Sequence, residues 1–399
     1  MAYIKKVEIF GFKSFGFENT TIQFELGLVS ISGANGSGKT NILDAIIFAM
    51  GENKPRVMRV DKLQDLIHNS KENRRGTKMA RTSVHFNNSD RKISVDTDVV
   101  EITREMDVNG DSVYYLNKKK SNRSHILDLL DDANIELDQL NTMQQGTVTR
   151  ISEFTSKERR KTIEYFIGLS YFDDKTSESI KQLGEADNKL ESVLAKLYEI
   201  KKKIDKSKKD GNQKLYNKIF SSYRLMLSRK NALEEERNNI VKFIEDVEKD
   251  KRQTFLNAFD QIDKEIRLIF NKMTGGNAWL ELQNEDDIFN SGISYLVQFS
   301  NKQKNESSVI SNAEKTLAGI VFVLALQKLR HSSFYLIDAV DAHLDKINSE
   351  IFVNILKSKE ENQYILISLK KEIIQNAKLS YVVSMKEGIS NVVDNKDVK

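Results

Sequence analysis

Residues 33–40 run Gly-Ala-Asn-Gly-Ser-Gly-Lys-Thr and fit G-x-x-x-x-G-K-[ST], the pattern of a phosphate-binding loop. The chemistry needs those residue types at that spacing. Glycines let successive backbone N–H groups turn towards one anion, and a helix starting at the end of the loop adds partial positive charge. Lys39 would reach the β- and γ-phosphates of a nucleotide, and the Thr40 hydroxyl would face Mg²⁺. A second candidate lies far along the chain, where the apolar run Phe334, Tyr335, Leu336 and Ile337 ends in Asp338. A phosphate loop needs such a neighbour strand, because a carboxylate must hold the Mg²⁺ shell.

These groups need elements to position them. Residues 28–31 are an apolar-rich run that predicts a buried strand before the loop. After it, Ile42, Leu43, Ile46, Ile47 and Met50 fall at helical spacing, and Gly51 is a natural stop. Residues 2–12, 20–26, 82–86, 92–95 and 99–106 predict strands. Asn109 and Gly110 predict a tight hairpin turn into a strand over 113–116, and a helix follows over 126–130. Leu183, Leu190, Leu197 and Ile204 then recur every seven residues, as do Ile219, Met226, Leu233, Ile240 and Val247, around a polar break at 205–212. Two heptad seams joined by a short break predict an antiparallel helical hairpin projecting from a globular part. Beyond it, residues 255–273 predict a further helix, 293–299 a strand, 301–308 a polar loop and 316–329 a buried helix. Residues 334–337 and 364–367 predict buried strands with a helix between them, and 379–385 pairs with 389–393 as a hairpin.

Composition narrows the function classes. At 399 residues the chain has room for two or three domains, or for one with a large insertion. Charged residues are 30% and hydrophobic ones 39%, which suits a soluble protein with long solvated helices. The single proline, Pro55, leaves helices elsewhere uninterrupted, and the lack of cysteine excludes disulfides and Cys-based zinc sites. No apolar run approaches the ~18 residues of a membrane helix, and residues 1–15 lack a signal-peptide core. A cytoplasmic protein with no membrane partner is expected. The net charge of +4 means that any nucleic-acid binding must come from local basic patches rather than from global charge. Arg74, Arg75, Lys78 and Arg81 form one, and Lys118, Lys119 and Lys120 another; a merely solvated face is the plain alternative.

Several stretches, in order and spacing, resemble the SMC (structural maintenance of chromosomes) proteins of the ABC-type ATPases. They are residues 9–15 with Lys13 and Ser14, the phosphate loop through Asn41, Met58 with Arg59, residues 145–150, 311–316, 338–345 and 367–370. Within the family, the divergent archaeal SMC-like proteins of the coalescin type are nearest. The resemblance implies an α/β fold: an ABC-type P-loop ATPase head of two lobes, 1–165 and 253–399, joined through an antiparallel coiled-coil hairpin over 166–252. The family's long arm and hinge have no counterpart here.

The resemblance also implies ATP and Mg²⁺ as cofactors, with Asn35, Gly36, Ser37, Gly38, Lys39, Thr40 and Asn41 around the nucleotide. Gln145 would touch Mg²⁺ and the attacking water, and Asp338 would hold the metal shell with Thr40. Arg59 would reach a nucleotide phosphate, and Lys13 and Ser14 would lie beside it. Ser311 would cap the γ-phosphate of a second copy, and Asp345 would lie in the loop that crosses to it. Plain alternatives are a loop glutamine for Gln145 and solvated side chains for Arg59, Lys13 and Ser14. His343, in the crossing loop, reads as incidental. The implied partners are a second head, DNA and accessory subunits, on the chromosome. Two departures matter: Ala339 stands where the family places a catalytic Glu, and Asn312 and Ala313 replace two glycines after Ser311. Hydrolysis is therefore expected to be slow or lost. The competing readings are a zinc-hook-type double-strand-break repair ATPase and a nucleotide-binding scaffold without turnover.

Overall fold

The computed structural model describes residues 2–69, 76–133, 135, 141–143, 147–209, 213–300, 302–329, 332–358 and 361–395. Strands β1 (Ile4–Phe10), β2 (Thr20–Gln23) and β3 (Gly27–Gly33) lead into helix α1 (Lys39–Ala49). Next come β4 (Met79–Asn87), β5 (Val99–Asp107), β6 (Ser112–Leu116) and β7 (Lys119–Ser121). Helix α2 (Arg123–Asp132), β8 (Thr142–Met143), α3 (Thr147–Ser152) and α4 (Ser156–Phe166) precede two long helices, α5 (Ser170–Lys209) and α6 (Gln213–Thr274). The remainder is β9 (Asn277–Leu282), β10 (Ile293–Gln298), β11 (Asn305–Glu306), α7 (Asn312–Leu326), β12 (Phe334–Asp338), α8 (Lys346–Lys357), β13 (Gln363–Ile367), α9 (Lys371–Asn376), β14 (Leu379–Lys386) and β15 (Ile389–Asp394).

Two compact units divide the chain: Met1–Arg159, Ile262–Leu282 and Ile293–Lys399 form the first, and Arg160–Gln261 with Gln283–Gly292 the second. Among the described residues three sheets build the first, in orders β2-β1-β4-β5-β6-β7, β11-β10-β9 and β15-β14-β3-β13-β12-β8. In the last, β3 lies between β13 and β14, parallel to both, with Ile31 opposite Ile367 on one side and Tyr381 on the other. Strands buried on both faces read as continuous apolar runs, and every residue of β12 and β13 is indeed buried. The fully buried Gln363 joins this sheet to the meander. Its amide donates to Ile4 O at 2.7 Å and Glu25 O at 3.1 Å, and accepts from Ile4 N at 3.0 Å. Arg104, 1% exposed, donates to Phe48 O and Glu52 O and lies over the Phe48 ring. A cation there complements the C-terminal end of α1 and fixes the far end of the helix that begins at the loop.

In the second unit α5 and α6 run antiparallel, since Asp173 meets Lys251 at 2.5 Å while Asp187 meets Arg237 at 2.7 Å. The predicted seam faces inward at Ala186, Val193, Leu197, Ile204 and Val247. The polar break starts later than expected, because α5 stays helical to Lys209. The expected separate helix over 255–273 is the continuation of α6, which has no Gly or Pro between Gln213 and Thr274 to end it. Residues 92–95 are not a strand. The buried Asn88 amide donates to the carbonyls of Ile93, Val95 and Thr97 and accepts from Ile93 N, so a side chain takes the bonds a ladder would use. The expected loop over 301–308 contains the short β11, and the helix expected over 316–329 starts earlier, at Asn312, and ends at Leu326, leaving 327–329 as a turn.

Candidate nucleotide site

The loop leaves β3 at Gly33, whose φ of 139° and tight surroundings admit only glycine: an added Cβ would meet Val383 O at 2.1 Å. Lys39 opens α1, and its ammonium folds back to donate to Gly33 O and Ala34 O, each at 2.8 Å. Burial pushes its pKa down, and Asp338 opposes that shift. Among the described residues the buried Ser37 Oγ has no hydrogen-bond partner. A partnerless buried hydroxyl and a lysine resting on loop carbonyls fit a loop that would hold a phosphate chain.

β12 delivers Asp338 to the same place. Thr40 Oγ1 donates to Asp338 Oδ1 at 3.2 Å, and Arg59 Nη1 lies 3.4 Å from Oδ2. Burial raises the Asp338 pKa, with Arg59 and Thr40 pulling the other way. A carboxylate beside a hydroxyl is a hard oxygen pair. It suits Mg²⁺, which takes few protein ligands and completes its shell with water and phosphate oxygens. Thr40 and Asp338 would hold that ion, which would neutralise phosphate charge when bound.

Arg59 has a side chain that is 38% exposed, yet its guanidinium is held by acids. It sits at φ 58° and makes a 2.6 Å bond from Nη2 to Asp44 Oδ1, while Lys13 Nζ donates to Asp44 Oδ2 at 2.6 Å and to Met58 O at 2.5 Å. Asp44 is fully buried on α1. Burial pushes its pKa up and that of Lys13 down, and each partner resists the other's shift. Sequence reasoning missed Asp44; an acid inside the apolar face of α1 was the available signal. Because removing one member of a buried ion pair leaves the other uncompensated, Asp44→Asn should cost about 3 kcal/mol. The urea midpoint of unfolding should fall accordingly; an unmoved midpoint would mean that Lys13 and Arg59 find water instead.

The remaining expected residues are placed differently. Ser14 Oγ accepts from Asn41 Nδ2 at 2.7 Å, under the loop. Ser311 caps α7, its N and Oγ both donating to the Glu314 carboxylate, and Asp345 caps α8 by accepting from Asn348 N. These bonds keep both within their own helices. Gln145, Arg74 and Arg75 lie outside the described residues; β8, just before Gln145, pairs with β12 at Met143 and Ile337. Ala339 follows Asp338 at φ 49°, a left-handed conformation. Another missed group sits behind it: Ser368 Oγ donates to the buried Asp341 at 2.5 Å and accepts from Lys370 N at 3.0 Å, tying down the turn between Asp338 and Asp345.

The family model described as RecF/RecN/SMC N terminal domain matches residues 3–391. The chain belongs to this family. It is similar to the chromosome partition protein Smc of Pyrococcus furiosus, with 39% identity over 215 residues, 54% of this chain and 18% of that protein. Smc of Fusobacterium nucleatum is 36% identical over 207 residues, 51% of this chain and 17% of that one. The chain thus spans less than a fifth of the length of these curated relatives. Among solved structures, the P. furiosus Smc head domain with an extended coiled coil, bound to the C-terminal domain of ScpA, superposes with a TM-score of 0.90 at 35% identity, covering 99% of this chain and 96% of that one. The Pyrococcus yayanosii Smc head with a coiled coil and joint gives 0.91 at 28% identity, covering 99% and 97%. The fold is therefore that of an SMC head, an ABC-type P-loop ATPase architecture carrying a coiled coil. Among the described residues no helix is long and apolar enough to cross a membrane.

Proposed function

We propose that this chain is an ATP-gated head that organises DNA: two copies enclose two ATP·Mg²⁺ and so join the coils they carry. The observation that carries the reading is the meeting of Lys39, Thr40, Arg59 and Asp338 at the start of α1, on a chain of this family. One head supplies the phosphate loop, and Ser311 of the other covers the γ-phosphate. In this reading Gln145 contacts Mg²⁺ and the attacking water, and Asp345 lies in the crossing loop. The two lobes of the head are 1–165 and 253–399, with 166–252 as coil. Arg74, Arg75, Lys78, Arg81 and the lysines at 118–120 carry DNA by phosphate contacts, though Arg81 is partly engaged by the Phe10 ring and by Glu105 at 3.9 Å. An accessory subunit like the ScpA bound to the P. furiosus head is the proposed further partner, and the likeness to chromosome partition proteins supports a site of action on the chromosome. Turnover is slow, because Ala339 offers no general base.

The test is light scattering. ATP·Mg²⁺ should convert the chain from monomer to dimer, ADP should not, and Ser311→Arg should prevent the shift by placing bulk and charge where the cap belongs. A monomer at saturating ATP would sink the gating mechanism.

A further inference from the structure

Ser390 lies on β15, far from the loop in sequence, yet only 3% of it is exposed and its hydroxyl sits between two site residues. Ser390 Oγ is 2.6 Å from Ser14 Oγ and 2.7 Å from Ser37 O, and Ser390 N donates to Ser14 O at 2.8 Å. Asn41 Nδ2 is 2.7 Å from Ser14 Oγ. The Ser390 hydroxyl is the donor to both Ser37 O and Ser14 Oγ, so its one proton is shared between them, and Ser14 Oγ accepts from Asn41 Nδ2 as well. Gly38 is part of the same packing, since a Cβ there would lie 2.1 Å from Ser390 Oγ.

The consequence concerns one peptide plane. A trans peptide points its C=O and N–H in opposite directions. Holding Ser37 O against Ser390 therefore turns the Gly38 N–H away from β15, to the other side of the loop. We propose that Ser390 is a positioning residue of the phosphate site, which aims the Gly38 N–H at the bound anion through its bond to Ser37 O. Ser14 Oγ is the second acceptor of the Ser390 hydroxyl. The proposal rests on the nucleotide reading above.

Titration calorimetry with ATP·Mg²⁺ and with tripolyphosphate tests it. If the unaltered chain binds neither ligand, the nucleotide reading itself fails. If it binds, Ser390→Ala should weaken both ligands by the same factor, about 5–10-fold, as the loss of one orienting hydrogen bond allows. Undiminished affinity in Ser390→Ala would overturn the positioning role. So would a loss confined to ATP with tripolyphosphate unaffected. Should Ser390→Ala fail to fold, nitrogen-labelled glycine in the unaltered chain supplies a second readout. The Gly38 amide signal should move downfield when tripolyphosphate binds, and a Gly38 signal that stays put would equally overturn the assignment.

Discussion

Ala339→Glu should raise ATP turnover by about 10²–10⁴-fold, the usual weight of a positioned general base. The substitution is aimed by the fold. Asp338 ends β12 in contact with Thr40 at 3.2 Å, so the next side chain leaves the same rim of the sheet that carries the phosphate loop. Backbone strain does not argue against it. The left-handed conformation at φ 49° costs on the order of 1 kcal/mol for any residue with a Cβ, and Ala339 already bears that cost. The turn is held from behind by Asp341 and Ser368, and Ala339 N donates to Ile367 O at 3.0 Å, so a longer side chain need not reshape it. Phosphate release at saturating ATP is the measurement. A rate that stays flat would move the bottleneck to the cap, where Asn312 and Ala313 stand in place of glycines.

The second large effect is the loss of nucleotide binding in Lys39→Ala. Charge-assisted hydrogen bonds contribute about 1.5–3 kcal/mol each, so removing an ammonium that in the proposed reading would reach two phosphates should weaken ATP by at least ~10²-fold. Its ammonium is held by Gly33 O and Ala34 O, so a nucleotide must draw it away from them. Affinity for ATP is therefore a difference between two sets of bonds, and Lys39→Arg should not restore it, because a planar fork cannot occupy a point-charge position. Calorimetry decides, with a melting curve to confirm folding; undiminished binding would refute the site.

What could be read from the sequence was what is local. The loop, the acid-ended strand at Asp338 and the heptads are each written in one short stretch, and all fall where the periodicity puts them. Misreadings came where a side chain competed with the backbone, as Asn88 does over 93–97, or where nothing punctuated a helix, as in α6. The Asp44–Lys13–Arg59 cluster and Ser390 were illegible for another reason. Their partners meet only after folding, across 15 to 376 positions of sequence, and no spacing rule links such residues.

The place of β3 in its sheet bears on how such a chain can be made. Residues 28–32 are buried, yet both strands that cover them, β13 and β14, come after the coil. During synthesis the ribosome therefore releases an apolar strand with two open edges, and hundreds of peptide bonds must form before either edge closes. Open edges of that kind invite pairing with other chains, which makes the nascent stage the one most exposed to aggregation and to chaperones. The meander and the helical hairpin need only near neighbours and can form early, whereas the phosphate loop gains its rigid base last. The proposed nucleotide binding would thus be a late event in the life of each molecule. By mass action it then favours those copies in which the two distant halves have found one another.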